Sequence, residues 1–203
     1  MATNKTRSKS SFLIEGLINA VVIFGIAIFL SLTFRYTTVS GNSMNPTFND
    51  GDKLIVTNLF YKPTRGDVVV FRGSVADGYD DKYIIKRIIA LEGDTVKIED
   101  RIIYVMEYGS DDFVIVDYVD GMDIPSHDMQ PMVVPKGEMF VMGDNVNNSK
   151  DSRDTSVGTI NIDLIIGRVI LRFYSEDIVY SDETHRYEKI GQIVFDTSFT
   201  YTK

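Results

Sequence analysis

The feature that most limits what this chain can become is the apolar run from Phe12 to Phe34. Only Glu15, Asn19 and a few Ser, Thr and Gly interrupt it, and the stretch from Gly16 to Phe34 carries no charge. An α-helix needs about 20 apolar residues to cross the hydrocarbon core of a bilayer, so the run predicts a transmembrane helix. Glu15 falls near its start, where the headgroup region tolerates a charge. A cleaved signal peptide would have an apolar core of only about 7–15 residues and small residues at its cleavage site. This run is longer and ends in Ser31-Leu32-Thr33-Phe34-Arg35-Tyr36, a poor cleavage site. Lys5, Arg7 and Lys9 precede it and only Arg35 follows closely. The excess of positive charge places the N-terminal tail, residues 1–11, in the cytoplasm and residues 35–203 on the outer side.

Beyond Arg35 the pattern changes. Short β-type runs are broken by Gly, Pro, Asp and Asn. Strands are predicted over Lys53–Asn58, Asp67–Arg72, Lys82–Leu91, Thr95–Glu99, Arg101–Met106, Glu138–Met142 and Leu164–Phe173. Helical periodicity is weak outside the anchor. The expected fold is therefore mainly β, a coiled antiparallel sheet or barrel-like domain behind one N-terminal transmembrane helix. Residues 107–134 lack clear periodicity and read as an insertion into that domain. Hydrophobic residues make up 44% of the chain, enough for a real core, so one anchored domain of ordinary size accounts for 203 residues.

The net charge of −8 argues against a nucleic-acid partner. Much of the acid lies between Asp100 and Asp128, where a solvated face is the simplest reading. With no cysteine, a thiol nucleophile, a disulfide framework and a cysteine-based zinc site are excluded. His127 and His185 lie in polar surroundings without a spaced partner that reads as a metal site. No cofactor or metal is expected.

One stretch just past the apolar run, Ser40-Gly41-Asn42-Ser43-Met44-Asn45-Pro46-Thr47, places a serine where a nucleophile would be held at a membrane surface. A serine hydroxyl is weak unless a base removes its proton. Lysine can serve if burial lowers its pKa from about 10.4 toward neutrality. Lys86 is the candidate, because Tyr83-Ile84-Ile85 precede it and Ile88-Ile89 follow Arg87. On a strand it shares a side with Ile84 and Ile88, opposite Ile85 and Arg87. If that side is the core, Lys86 is desolvated and Arg87 is exposed. A surface strand with two adjacent cations fits the same pattern.

These motifs resemble those of type I signal peptidases. Gly41-Asn42-Ser43-Met44-Asn45-Pro46-Thr47 is similar to the family's nucleophile box, and Arg65-Gly66-Asp67-Val68-Val69-Val70-Phe71 to the next. Lys86–Asp94 is similar to the general-base box and Gly143–Arg153 to the last. One Ser-Met-x-Pro match is weak alone, but four boxes in order after an N-terminal anchor are a strong signal. The resemblance covers roughly residues 12–173. It implies a serine protease with Ser43 as nucleophile and Lys86 as general base, removing signal peptides after small residues. Its partners would be signal-peptide-bearing secretory precursors, the lipid bilayer of the cell membrane and the secretion translocon.

The resemblance further implies that Ser149 orients the lysine amine, and that Asp144, Asp151 and Arg153 support the site. Val39, Met44, Ile84 and Ile85 would line shallow pockets for small side chains, although each also reads as core. The oxyanion would be held by the Ser43 backbone N–H. Some members add a hydroxyl two positions before the nucleophile; here that position is Gly41, as in the Gram-positive type, and a second donor is unassigned. The chain departs from the family pattern at Val146, Ala90 and Glu92, where arginine, glycine and proline are common. A paralogue that assists assembly of surface proteins such as pili is the alternative. A non-catalytic form should have lost Ser43 or Lys86, and both are present.

Overall fold

A computed structural model describes residues 9–74, 78–79, 82–117, 125–181 and 186–197, with the side chains of 9–11, 176–181 and 186–191 excepted. The Asp120, Asp123 and His185 positions lie outside the described residues. The chain divides into two compact units, residues 1–35 and 36–203. The first is dominated by helix α1 (Lys9–Thr33), of which Phe12–Thr33 is long and apolar enough to cross a membrane. At about 1.5 Å per residue its 22 apolar-rich residues span roughly 33 Å. Its apolar side chains are exposed along its length, from Phe12 and Leu13 to Leu32. A helix apolar all round is stable only inside protein or lipid.

The second unit is mainly β, as the alternation of short apolar runs and breakers predicts. Its strands are β1 (Phe34–Thr38), β2 (Lys53–Thr57), β3 (Val68–Arg72), β4 (Tyr83–Leu91), β5 (Thr95–Glu99) and β6 (Ile102–Met106). They continue with β7 (Phe113–Ile115), β8 (Met129–Val133), β9 (Glu138–Met142), β10 (Ile160–Asn161), β11 (Ile165–Ser181) and β12 (Arg186–Asp196). A curled sheet has the order β1-β2-β11-β3-β4-β9-β10, with β12 also paired to β11. A second sheet has the order β7-β6-β5-β8. Residues 107–134 thus carry two strands that complete the second sheet. They are short, and β7 is exposed throughout, which is why they show no periodicity.

Strand β11 makes the curl feasible. It pairs antiparallel with β3, β2 and β12, and its register shifts at Ile165/Gly167, Val169/Leu171 and Arg172/Tyr174. Each bulge bends the strand and increases its twist, letting one strand pass from one partner to the next. Gly167 sits where a Cβ would lie 2.7 Å from the Thr57 carbonyl, so no larger residue fits the approach of β11 to β2.

Strands β3 and β4 are covered on both faces over residues 68–71 and 86–90. Val68 and Val70 pack with Met44, Phe48, Leu54 and Val169, whereas Val69 and Phe71 pack on the other side with Ile88, Val141 and Ile160. Ile89 and Ala90 join Phe140 and Met142 under the second sheet, against Val96, Ile98 and Val105. The expectation that one side of β4 is solvent-facing is therefore wrong. Arg87 is 1% exposed, not a surface cation. A single alternating strand carries no mark of a second cover, because the covering residues come from elsewhere in the chain.

Candidate active site

Ser43 lies in the turn after β1, and Lys86 on β4, forty-three positions later. The turn carrying Ser43 is tied at both ends. The Gly41 N–H donates to Asp50 Oδ1 at 2.9 Å, and the Val39 N–H donates to the Asp52 carbonyl at 2.8 Å. Met44 and Phe48 anchor it from below, fully buried. A third tie comes from the loop after β9: the Asn145 N–H donates to the Ser43 carbonyl at 3.1 Å, and its side chain donates to the Asn42 carbonyl at 3.0 Å. The Ser43 backbone N–H makes no hydrogen bond among the described residues.

β4 brings Lys86 to this turn. Its pairing with β3 sets Lys86 opposite Val69 and Ile85 opposite Val70. Lys86 is 4% exposed, and its Nζ stands 2.7 Å from Ser43 Oγ. Burial pushes its ammonium down from the ordinary 10.5 to about 8. Asp151 and then Asp144 oppose that by favouring the charged form, while Arg153 reinforces it. A buried amine with a hydroxyl in contact and a lowered pKa is the arrangement a general base requires.

The carboxylates beside Lys86 are held by guanidinium groups. Arg87 donates through Nε and Nη2 to the two oxygens of Asp144, at 2.9 and 2.7 Å, and through Nη1 to the Gly66 carbonyl at 2.6 Å. Thr47 Oγ1 donates to the same carboxylate at 2.5 Å. This buried cluster joins the turn carrying Ser43, β4 and the loop after β9. Asp151 accepts from Arg153 Nε and Nη2, both at 2.8 Å, and from the Gly143 N–H at 3.1 Å. Arg153 also donates to the Val146 carbonyl.

Gly143 is required at its position, since a Cβ there would lie 2.3 Å from both Ser149 Oγ and the Ser43 carbonyl. Ser149 Oγ is itself buried and has no hydrogen-bond partner among the described residues, Lys86 included.

A cleft of about 510 Å³ opens in front of Ser43 and Lys86. Val39, Ile84 and Ile85 line it, together with Thr37, Thr38 and Val70. Met44 does not; it is fully buried with Phe48 and Leu54, in the core rather than the cleft. The cleft lies between two strand edges. β1 is the end strand of its sheet, and β9 pairs with β4 only over Arg87–Leu91, leaving Tyr83–Lys86 without a partner on that side among the described residues. Among the described residues no three His, Asp or Glu side chains are grouped as a metal ion would need. Sequence reasoning missed Arg87 and Thr47 as supports, and Tyr79, Lys82 and Lys150 as cleft residues. Only the position of Arg87 beside Lys86 in a recognised box could have hinted at it.

The sequence matches the model of the family described as signal peptidase, peptidase S26, over residues 13–174. It is 34% identical over 179 residues to signal peptidase IB of Staphylococcus aureus, covering 80% of this chain and 90% of that protein. It is 33% identical over 177 residues to the chloroplastic thylakoidal processing peptidase 1 of Arabidopsis thaliana, covering 77% of this chain and 49% of that protein. Among solved structures it is similar to a signal peptidase I from Enterococcus faecalis V583, with 27% identity and a TM-score of 0.42, covering 53% of this chain and 97% of that one.

Proposed function

The chain belongs to the S26 signal peptidase family, and from that premise we propose that it is a membrane-anchored endopeptidase that removes signal peptides with a Ser43–Lys86 dyad. The observation that carries this reading is the 2.7 Å contact between Lys86 Nζ and Ser43 Oγ at a lysine almost wholly shielded from water.

In the reactive form Lys86 is a neutral amine. The contact then reverses, and Ser43 donates its proton to Nζ as Oγ attacks the carbonyl of the small residue that precedes the scissile bond. The Ser43 backbone N–H would hold the oxyanion; one such donor is worth about 2.7–4 kcal/mol. The Lys86 ammonium gives its proton to the departing amine, leaving an ester on Ser43. Lys86, neutral again, takes a proton from the water that attacks the ester, and returns it to Ser43 Oγ as the C–O bond breaks and the acyl group leaves as the carboxylic acid. Ser149 is assigned the orientation of the amine. A buried hydroxyl without a partner costs free energy, and a hydrogen bond with Nζ during the cycle would satisfy it. Asp144 and Asp151, braced by Arg87 and Arg153, keep the loop carrying Ser149 against the nucleophile turn.

An extended substrate would add to the open edges of β1 and of Tyr83–Lys86. Backbone bonds give affinity in that mode and side-chain pockets give selectivity. Val39, Ile84 and Ile85 would form the shallow floor that admits only small side chains. Helix α1 would anchor the chain in the membrane, with residues 1–11 cytoplasmic and 35–203 on the outer side, as Lys5, Arg7 and Lys9 suggest.

The test is incubation of the detergent-solubilised full chain with a precursor bearing a signal peptide. The wild type should release the mature protein after a small residue, and Ser43→Ala and Lys86→Ala should release none. Cleavage by folded Lys86→Ala at the wild-type rate would refute the dyad.

A further inference from the structure

The cleft is charged at one end. Lys82, just before β4, and Lys150, just after Ser149, both line it beside Tyr79 and Tyr83. None of its described lining residues is acidic, in a chain with 29 Asp and Glu and a net charge of −8.

Lys150 is fixed there from two directions. Its Nζ donates to the Gly78 carbonyl at 2.8 Å, and Tyr79 Oη donates to the Lys150 carbonyl at 3.0 Å. Tyr79 is itself 8% exposed and packs edge-on against Phe71. The ammonium has three donors, and Gly78 takes one, so the rest can serve a ligand in the cleft. The Asp154 carboxylate accepts from the Ser156 N–H at 2.8 Å and also feels the Lys150 ammonium, which favours its charged form, without a direct contact between the two. Asp77, Asp80 and Asp81 neighbour Lys82 in the chain and lie outside the described residues.

The position of this cationic end along a substrate follows from the reading of the site proposed above, on which the inference rests. The residue whose carbonyl is attacked lies level with Lys86, and the floor of Ile85 and Ile84 leads from there toward Lys82. Four positions of extended chain cover about 13 Å. We propose that Lys150 selects substrates carrying an acidic side chain about four or five residues N-terminal to the scissile bond. An exposed pair of this kind is worth about a fivefold change at most, so the device ranks substrates and does not gate them.

The experiment uses the full chain in detergent and peptides that differ only at those two positions, with Gln, Glu or Lys. The Glu peptides should exceed the Lys peptides in kcat/KM by about fivefold at low salt, with the difference in KM. The ratio should fall toward one as salt shortens the Debye length well below about 8 Å. Lys150→Arg should retain the preference, Lys150→Met should reduce it, and Lys150→Glu should invert it. A wild-type ratio near one, or a ratio that Lys150→Glu leaves unchanged, overturns the proposal. Cleavage of the Gln peptide by the wild type separates that result from failure of the peptidase reading itself.

Discussion

Lys86→Met should stabilise this protein while destroying its activity, and the gain should disappear at high pH. Lys86 is 4% exposed and its pKa is lowered from 10.5 to about 8 by burial. The difference is worth about 3 kcal/mol at about 1.4 kcal/mol for each tenfold step. The sign follows from proton counts. Below pH 8 both the folded and unfolded chains hold the proton, so folding bears the whole cost of burying a charge. Between about 8 and 10.5 the unfolded chain holds a proton the folded one has released, so stability rises with pH. Above 10.5 both are neutral and the cost is gone. Methionine keeps the apolar stem without a charge, and losing the contact to Ser43 Oγ gives back about 1 kcal/mol. The net expectation near neutral pH is a variant more stable by about 2 kcal/mol. Thermal unfolding of both forms in the same detergent, at several pH values from 6 to about 11, measures this. In the wild type, kcat/KM should climb about tenfold per pH unit below 8 and level off above it, because only the neutral amine is a base. A Lys86→Met variant less stable at neutral pH, with a difference that does not change between pH 8 and 10.5, would refute the reasoning. So would a wild-type rate that is flat from pH 6 to 8.

Three further outcomes are expected. Arg87→Met should cost about 3–5 kcal/mol by chemical denaturation, because it leaves the Asp144 carboxylate buried without its partner. Gly143→Ala should lower kcat by more than tenfold, since its Cβ would lie 2.3 Å from the Ser43 carbonyl and from Ser149 Oγ; unchanged kinetics would show that the loop yields freely. Asp94 is desolvated, which raises its pKa, yet hydrogen bonds from Arg65, the Leu91 N–H and the Tyr108 N–H hold the carboxyl below the usual carboxylate range. Its contribution is therefore present above the ordinary carboxylate pKa and lost as pH falls through the folded one. Asp94→Asn should flatten the acid side of the stability profile, measured as Tm between pH 3 and about 6.

The local character of each segment was legible because it follows from short-range physics. An uninterrupted apolar run can only be a helix in lipid or in a large core, and α1 ends one residue before the predicted limit at Phe34. Strands such as Thr95–Glu99 and Glu138–Met142 begin and end where their breakers stand. The short strands β7 and β8 were not legible, since β7 is exposed throughout and β8 has no fully buried position, so neither is marked by a buried apolar face. Arg87 went wrong for the converse reason. Alternation along β4 says that neighbours face opposite ways, and nothing in it says that both ways are covered.

The long apolar helix and the strand that carries Lys86 were thus already written in the chain. Only the tertiary structure placed Lys86 Nζ within 2.7 Å of Ser43 Oγ, buried Arg87 against Asp144, and moved Met44 from the cleft floor into the core. Each of these depends on contacts between residues far apart in sequence, and side-chain burial is a property of the neighbours that arrive, not of the residue that is covered.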